Sequence, residues 1–354
     1  MRLLMASIPL KLDGLKKLTD ETGIFQHTKY STVDLKEGYT TDDNARALIA
    51  ALKYHKIYGS QEALNLANTY LAFLTYMQKK DGRFHNYLGY DRKYKDDVGS
   101  EDSIGHALWA CGYTVNTNAP RGIKSVAKEI FDRGLPSENH FTSPRARALT
   151  ILGLSHYHQE YPNDKNVLNI TTKFGKYLVN LYEKESDNGW RWFEPHLTYA
   201  NARLPQALFT AYELDKDSIL LQIARNSLDF LIEVQIINNI FVPIGSNGWY
   251  LKNGERAIFD QQPIEASCMI EALTKAFVVT GSKKYLDTAQ TVMEWYHGKN
   301  VKGIDVFKEE TATCFDGITP EGVNQNQGAE STISYYLAHL VLRENPQGNG
   351  VQMH

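Results

Sequence analysis

The 354-residue sequence lacks the features of several large protein classes. It has no block of basic residues, since 38 Lys and Arg stand against 41 Asp and Glu and the net charge is −3. Nucleic-acid binding normally requires a clustered positive surface, so we expect no nucleic-acid partner. No stretch approaches the roughly 18 apolar residues of a membrane-spanning helix, so we expect no membrane partner either.

Cysteine is scarce in this sequence. The three cysteines are Cys111, Cys268 and Cys314, and their odd number and irregular spacing argue against a disulfide framework. The apolar run within the first nine residues is too short for the core of a signal peptide, which normally spans ~7–15 residues. These features predict a cytoplasmic location, and secretion through a leader trimmed from the sequence stays open as the alternative.

Motifs for metal binding, nucleophilic catalysis and phosphate binding are also missing. There is no His-Glu-x-x-His or paired-cysteine motif, and His156 and His158 point apart on a helix because they are two residues apart. Neither a Gly-x-Ser-x-Gly elbow nor a glycine-rich phosphate loop occurs. We therefore expect neither a metal nor a cofactor.

The sequence does contain a long internal repeat. Six times, a polar cluster leads directly into a helical segment of small apolar residues that carries a two-residue anchor. The anchors are Ala47-Leu48, Ala107-Leu108, Ala148-Leu149, Ala207-Leu208, Ala272-Leu273 and, in reversed order, Leu337-Ala338. Self-similarity at such long intervals is typical of a repeat architecture.

Each repeat predicts an inner helix followed by an amphipathic outer helix with one buried face. The inner helices are predicted over 45–58, 104–113, 146–157, 204–214, 266–279 and 331–342, and the outer helices over 61–79, 121–133, 166–183, 217–235 and 283–297. The sixth outer helix is assigned to 8–19, beside the last inner helix. The predicted fold class is therefore all-α: a closed (α/α)6 toroid of six helical hairpins, which needs no capping repeats.

The domain organisation follows from the repeat, which covers most of the chain. We expect a single toroid domain over 1–345 and a C-terminal tail over 346–354. The long insertions, 26–41, 81–100, 186–200, 239–261 and 299–326, all precede inner helices. They should therefore gather at one rim, with small β-hairpins among them, and long loops of this kind are usually functional.

This rim is rich in carboxylates. The candidate catalytic residues are Asp42, Asp43, Glu101, Asp102, Glu194 and Glu330. Glycoside hydrolysis needs two carboxyl groups, which inverting enzymes hold ~6.5–9.5 Å apart, and packed inner helices lie ~8–10 Å apart. Asp42 and Asp102 occupy the same repeat position, which suits such a pair. The alternative role for each acid is N-capping of its helix.

The rim also contains candidate substrate-binding residues. Trp190 and Trp192 form the densest aromatic segment and Trp249 could add a second wall; these rings either stack on sugar faces or plug the ring. Arginines at helix starts oppose the local dipole, which calls for pairing with rim acids or with a ligand. The remaining candidates are Arg46, Arg145, Arg203, His106, Gln327 and Glu265.

Three segments carry a resemblance to a known group. LTDETGIFQH at 18–27, GYTTDDNARAL at 38–48 and GSEDSIGHALW at 99–109 resemble a bacterial and archaeal family of six-hairpin glycosidase-like proteins, often described as glycosyltransferases or hypothetical proteins. The resemblance implies an (α/α)6 toroid, carbohydrate chemistry and an association with a glycosyltransferase encoded nearby. A transferase activity is not implied, because a helical ring has no nucleotide-sugar crevice.

These observations predict a metal-independent glycoside hydrolase that acts on an oligosaccharide or polysaccharide with inversion. Asp43 and Asp102 are the first candidates for acid and base, followed by Glu194 and Glu330. The base is expected beside Arg46 or Arg145, and the acid against Trp192. The alternatives are a sugar epimerase or isomerase of the N-acylglucosamine 2-epimerase type and a non-catalytic glycan-binding partner of a glycosyltransferase. A terpene-type enzyme is disfavoured, because the third acid of its magnesium motif is missing.

Overall fold

The computed structural model describes residues 10–136 and 141–344. In these ranges the chain forms twelve α-helices. The inner helices are α2 (Thr41–Tyr58), α4 (Glu101–Val115), α6 (Pro144–Glu160), α8 (Arg203–Asp215), α10 (Pro263–Thr280) and α12 (Ala329–Glu344), and the outer helices are α1 (Asp13–Lys17), α3 (Gln61–Met77), α5 (Arg121–Gly134), α7 (Lys165–Glu185), α9 (Ser218–Gln235) and α11 (Lys283–Met293). A 3-10 turn, Glu294–Tyr296, follows α11.

The inner helices form a closed ring. Each packs against the next along the chain, and α12 packs against α2, which closes the circle. Each outer helix packs against at least one inner helix; α7 packs against both α6 and α8, and α1 contacts α12. The predicted closed (α/α)6 toroid is therefore confirmed, with the N-terminal helix as the last outer element.

The N-terminal helix α1 is shorter than its predicted span of 8–19. It covers Asp13–Lys17, and residues 8 and 9 lie outside the described part of the chain. The leucines that motivated the prediction are buried, with Leu15 and Leu18 fully so. The proposed tail at 346–354 also lies outside the described residues.

The polar clusters start the inner helices, as their composition predicts. Thr40, Ser100 and Ser143 are N-cap residues whose side-chain oxygens accept the backbone N–H three residues ahead. Each cap satisfies one of the orphan donors of the first turn. The helices therefore begin two to four residues earlier than their apolar pattern suggests, because the cluster itself forms the first turn.

Short antiparallel strand pairs lie at one end of the ring. All of them lie in connections that run from an outer helix to the next inner helix, as the sequence predicted for the rim. The strands are β1 (Thr28–Lys29), β2 (Thr32–Val33), β3 (Tyr39–Thr40), β4 (Tyr87–Leu88), β5 (His196–Leu197), β6 (Ile236–Ile237), β7 (Ile240–Phe241), β8 (Tyr250–Leu251), β9 (Phe307–Lys308), β10 (Thr313–Cys314), β11 (Gly317–Thr319) and β12 (Gly322–Asn324). The β3–β4 and β5–β8 pairs join loops of different repeats and fix them over the ring.

None of the described helices is long and apolar enough to cross a bilayer. The core is a continuous apolar layer between the inner and outer helices. Helices α4 and α6 approach especially closely, because glycines face each other across their contact. A Cβ atom on Gly112 would lie 2.7 Å from Cα of Gly153.

This close approach gives a stability prediction. Replacing Gly112 with alanine should lower the free energy of unfolding by about 1–3 kcal/mol, because the added methyl group forces the two helix backbones apart. Gly122→Ala is the matched control, since a Cβ there meets nothing within 4 Å and should be neutral or stabilising. Urea titration of both variants measures the difference. Equal stability of the two variants would contradict the packing described.

Candidate functional site

The N-terminal ends of the inner helices enclose a polar cavity of about 250 Å³ at the rim, which we call the rim cavity. All six inner helices contribute to its wall. Among its lining residues are Asp42, Arg46, Asn86, Tyr87, Asp102, Ser103, His106, Arg145, Tyr199, Arg203, Cys268 and Glu330. Three candidate acids, three candidate arginines and the candidate histidine therefore share one cavity.

Within the first pair of adjacent acids, Asp42 rather than Asp43 lies on the cavity wall. The Asp43 carboxylate accepts a hydrogen bond from the Thr40 hydroxyl at 2.8 Å, and the Asp43 N–H donates back to that hydroxyl. This reciprocal pair resembles a capping box, but the acid accepts the hydroxyl of the N-cap residue instead of its backbone N–H. Asp43 is thus buried within the helix start, while one oxygen of Asp42, Oδ1, is buried without a partner among the described residues.

In the second pair of adjacent acids, Glu101 and Asp102, one acid again serves a helix start and the other lines the cavity. The Glu101 carboxylate accepts the backbone N–H groups of Thr142 and Ser143 at 2.7 and 2.6 Å, so it ties α4 to the start of α6. Asp102 lines the cavity and accepts hydrogen bonds from the hydroxyls of Ser143 at 2.6 Å and Tyr199 at 2.7 Å. Both oxygens of Asp102 are therefore fixed in position.

Arg46 joins three acids at one side of the cavity. Its guanidinium lies 2.8 Å from Asp43, 2.9 Å from Glu330 and 3.4 Å from Asp42. One cation does not neutralise three carboxylates, so this cluster favours the uptake of a proton. The pKa of Asp43 is raised, chiefly by burial and further by Asp42 and Glu330, although Arg46 opposes the increase.

The raised pKa of Asp43 predicts a pH-dependent stability. The folded state binds a proton there more tightly than the unfolded state, so this stabilisation is present at low pH and is lost as the pH rises through the folded-state pKa. Between about pH 4 and pH 8, wild type should lose stability relative to Asp43→Asn, whose side chain stays neutral, with a slope of at most about 1.4 kcal/mol per pH unit. Urea titrations across this range measure the difference. Parallel curves for the two proteins would show that Asp43 does not take up the proton.

Arg145 organises the opposite side of the cavity. Its guanidinium pairs with Glu194 at 3.0 Å, donates to the backbone carbonyl of Tyr199 at 2.7 Å and packs on the Tyr199 ring at 4.6 Å from its centroid. Burial and the neighbouring Asp102 raise the pKa of Tyr199 to about 12. Glu194 does not line the rim cavity, so its place is behind Arg145, where it orients the cation.

His106 lines the cavity between two arginines. Its pKa is lowered well below the usual value, first by burial and then by the charges of Arg46 and Arg203. Its Nδ1 atom is buried and has no partner among the described residues. The ring is therefore neutral at neutral pH, and its Nδ1 atom is available for a hydrogen bond with a ligand.

Arg203 forms the floor of the cavity. It lies across the ring, paired with Glu271 at 2.7 Å, hydrogen bonded to Gln206 at 2.6 Å and stacked 4.6 Å above the Trp109 ring. Its charge is therefore committed to residues of the ring interior. Sequence reasoning assigned Arg203 to substrate binding, and the structure shows that its larger contacts are structural.

The tryptophan prediction needs a correction. Trp190 and Trp192 do not lie in the rim cavity with the acids. Trp192 is fully buried, and Trp190 is 4% exposed with its indole N–H bound to the backbone carbonyl of Glu194. Trp249 is half-buried against the core. These rings fill the space under the 186–200 loop. The structure therefore favours the alternative in which the tryptophans plug the ring of helices and do not stack on a sugar.

Two further candidates have structural contacts instead of cavity contacts. Gln327 is buried and accepts a hydrogen bond from Thr313 at 2.6 Å. Glu265 is buried beneath the cavity wall, where it accepts the backbone N–H of Ala200. Burial raises the pKa of Glu265 to about 7, against the opposing effects of that N–H and of Arg145.

Sequence reasoning did not select several residues of the wall. Tyr199 precedes the polar cluster of α8 by two residues, but tyrosine is too frequent in this chain for that position to single it out. Cys268 also lines the cavity, and burial raises its pKa to about 12, so it stays a thiol. No group of three or more His, Cys, Asp or Glu able to hold a metal occurs among the described residues.

Comparison with known proteins places this geometry in a fold class. No family model matches the chain, and no curated protein matches it in sequence. Among solved structures, a sugar epimerase from a ruminal bacterium matches with a TM-score of 0.74 and 12% identity over 100% of both chains. The cellobiose 2-epimerase of Bacillus thermoamylovorans matches with 0.72 and 12% over 97% of both.

A third match is a glycosidase. The α-1,6-mannanase of Salegentibacter sp., as an inactive variant with two adjacent aspartates changed to alanine and with α-1,6-mannotetrose bound, has a TM-score of 0.67 and 10% identity over 96% of this chain and 98% of that one. At these identities the matches establish the fold alone. The chain has the six-hairpin (α/α)6 fold found in epimerases, isomerases and mannanases.

Proposed function

We propose that this protein is an enzyme and, more specifically, a metal-independent glycoside hydrolase that acts on an oligosaccharide or polysaccharide with inversion. The observation that carries the proposal is the convergence of Asp42, Asp102 and Glu330 on one polar cavity from different inner helices. Inverting hydrolysis needs one carboxylic acid and one carboxylate on opposite sides of the scissile bond. Asp42 and Asp102 start neighbouring helices and are the pair best suited to these roles.

The hydrogen bonds suggest which acid has which role. Both oxygens of Asp102 accept hydrogen bonds, from Ser143 and Tyr199, which suits a carboxylate held ready to take a proton from water. Asp42 lines the cavity beside Arg46, and its Oδ1 has no partner among the described residues, which leaves that oxygen able to contact the leaving-group oxygen of a substrate. We therefore assign Asp102 as general base and Asp42 as general acid. This assignment differs from the sequence-based one, in which the base lay beside Arg46 or Arg145.

Two pairs of adjacent acids in the sequence also support the proposal of a glycoside hydrolase. The inactive mannanase variant lacks two adjacent aspartates, and this chain has adjacent acids at Asp42-Asp43 and Glu101-Asp102. The rim cavity also carries hydroxyl, guanidinium and imidazole groups, which suit a ligand with many hydroxyls. A substrate longer than the cavity would extend over the rim loops.

A panel of manno- and gluco-oligosaccharides and aryl glycosides tests the proposal. We expect new reducing ends, a first-formed product of inverted anomeric configuration by NMR, and undiminished rates in the presence of EDTA. A first product with retained configuration would refute inversion, and loss of activity on chelation would refute the metal-free mechanism.

A sugar epimerase is the second candidate, because His106 offers a neutral ring in the cavity and two of the structural matches are epimerases. Epimerisation beside a carbonyl exchanges the carbon-bound proton with solvent. Product formed in D2O would then carry deuterium at that carbon, whereas hydrolysis leaves the carbon protons untouched. We favour hydrolysis because three carboxylates but one histidine line the described cavity. Glycan binding without turnover would support the non-catalytic alternative.

Three further proposals come from the sequence. They are one domain over 1–345, a cytoplasmic location and a functional pairing with a glycosyltransferase encoded nearby. The three cysteines are free and buried, as expected of a protein folded in a reducing compartment. Limited proteolysis, cell fractionation and co-purification with the transferase test these proposals in turn.

A further inference from the structure

A second cavity lies at the opposite end of the ring. The C-terminal halves of the inner helices enclose a space of about 230 Å³, which we call the lower cavity. All six inner helices contribute to its wall. The sequence repeat directed attention to the helix N-termini, and nothing in it singled out this end.

The two cavities are separated by a partition one side chain thick. Arg203 lines the rim cavity, whereas its partners Glu271, Gln206 and Trp109 line the lower cavity. The ion pair, the hydrogen bond and the stacking contact of Arg203 therefore close the ring axis between them. The lower cavity is therefore separate from the rim cavity and has its own opening.

Several polar groups that line the lower cavity have no partner among the described residues. Nδ1 of His156 is buried without a hydrogen bond. Glu271 is 4% exposed, and its Oε1 accepts from Arg203 and Ser267 while its other oxygen has no donor among the described residues. The same holds for the hydroxyl of Ser155, whose residue is also 4% exposed. Buried polar groups are almost always hydrogen bonded, so the Nδ1 atom of His156 calls for an occupant, while the free Glu271 oxygen and the Ser155 hydroxyl are accessible from the cavity to the same occupant.

The charges around the cavity favour a neutral occupant. Lys53 pairs with Glu344, Lys275 pairs with Glu213 at 2.6 Å, and Glu271 pairs with Arg203. Each cation that lines the wall is thus already matched by an acid. Burial and the nearby lysines lower the pKa of His156 to about 3, which keeps its ring neutral.

The free groups include both donors and acceptors. The carboxylate oxygen of Glu271 accepts, and the hydroxyl of Ser155 and the imidazole of His156 do both. A ligand that matches all of them must itself donate and accept at several points, as hydroxyl groups do. Trp109 and Tyr113 add aromatic rings to the wall, a combination of surfaces that suits a sugar ring.

We propose that the lower cavity is a second binding site, for an uncharged monosaccharide or a polyol of similar size. Its occupant contacts Glu271 directly and thereby reaches Arg203, the floor of the rim cavity. The proposal is independent of whether the rim cavity hydrolyses glycosides.

Calorimetric titration of the full chain with glucose and mannose tests this site, with gluconate as an anionic probe. The Asp42→Asn/Asp102→Asn double variant serves as the background, because its changes are confined to the rim cavity. We expect this double variant to bind one hexose saturably and to bind gluconate with at least about tenfold lower affinity. Adding His156→Phe, which keeps the ring and removes both nitrogens, should weaken hexose binding by about tenfold, the effect of one lost hydrogen bond.

Ser155→Leu, which fills the cavity, is an independent variant in case His156→Phe perturbs folding, and circular dichroism monitors the fold of both. The absence of saturable hexose binding in the rim-cavity variant would overturn the proposal. Equal affinity after either lower-cavity substitution, or preference for gluconate, would overturn it as well. Failure to detect hydrolysis would leave this binding result unaffected, so the two proposals fail separately.

Discussion

Replacing Asp102 with asparagine is expected to reduce the hydrolytic rate by about 10²–10⁴-fold while leaving the fold intact. The amide keeps the shape of the side chain and can accept from one of the two hydroxyls of Ser143 and Tyr199 while its NH2 group donates to the other, but it cannot accept the proton of an attacking water. Proton transfer by a positioned side chain supplies an effect of this size. Steady-state kinetics on the oligosaccharide that wild type cleaves fastest measure the change, and Asp42→Asn should cause a loss of the same order.

Matched controls come from the neighbouring acids. Glu101→Gln and Asp43→Asn change acids that serve helix starts, so their rates should stay within about tenfold of wild type, the size of one hydrogen-bond defect. Thermal denaturation accompanies each assay to separate folding from catalysis. Loss of activity in Glu101→Gln as large as in Asp102→Asn would show that the wrong acid of the pair has been assigned.

Replacing Arg203 with methionine is expected to lower the free energy of unfolding by about 3–5 kcal/mol, which is the largest stability effect that we predict. Arg203 and Glu271 are both at most 4% exposed and lie 2.7 Å apart. Removing the cation leaves a buried carboxylate without its counterion, and the transfer of such a charge from water is costly. Urea titration at neutral pH measures the difference.

The double variant Arg203→Met/Glu271→Met is the control for this prediction. It removes both charges and replaces them with apolar side chains, so it should recover most of the lost stability. Together with the single variant Glu271→Met, Arg203→Met and the double variant form a double-mutant cycle, which isolates the coupling of the pair. A double variant no more stable than Arg203→Met would mean that packing on Trp109, and not the charge pair, holds the partition.

The fold was predictable because its signals are local. The caps at Thr40, Ser100 and Ser143, followed by helical apolar spacing, mark where α2, α4 and α6 begin, and polar clusters precede the other three inner helices. Six such starts imply six hairpins, and the ring closes because every inner helix needs two neighbours to bury its faces. The length of α1 was overestimated, since a run of leucines shows which side is buried but not how many residues are helical.

The sequence predicted which types of residue form the candidate site, but it identified only some of the residues that line it. Asp42, Asp102, Glu330 and His106 were expected at the rim and line its cavity. Trp192 was expected there and is instead fully buried, because the same large apolar surface that stacks on a sugar also fills a core. The lower cavity had no sequence signal, because its wall is built from helix positions whose burial pattern looks like ordinary core.

The sequence by itself determined that this chain is a ring of helical hairpins with acids gathered at the helix starts. Capping, periodicity and repeat length act over a few residues, and one sequence carries them completely. Only the tertiary structure decided that Asp42 and Asp102 face the cavity while Asp43 and Glu101 serve helix starts. Adjacent residues on a helix are separated by about 100°, so which one points to the ring axis depends on how each helix is rotated against its two neighbours.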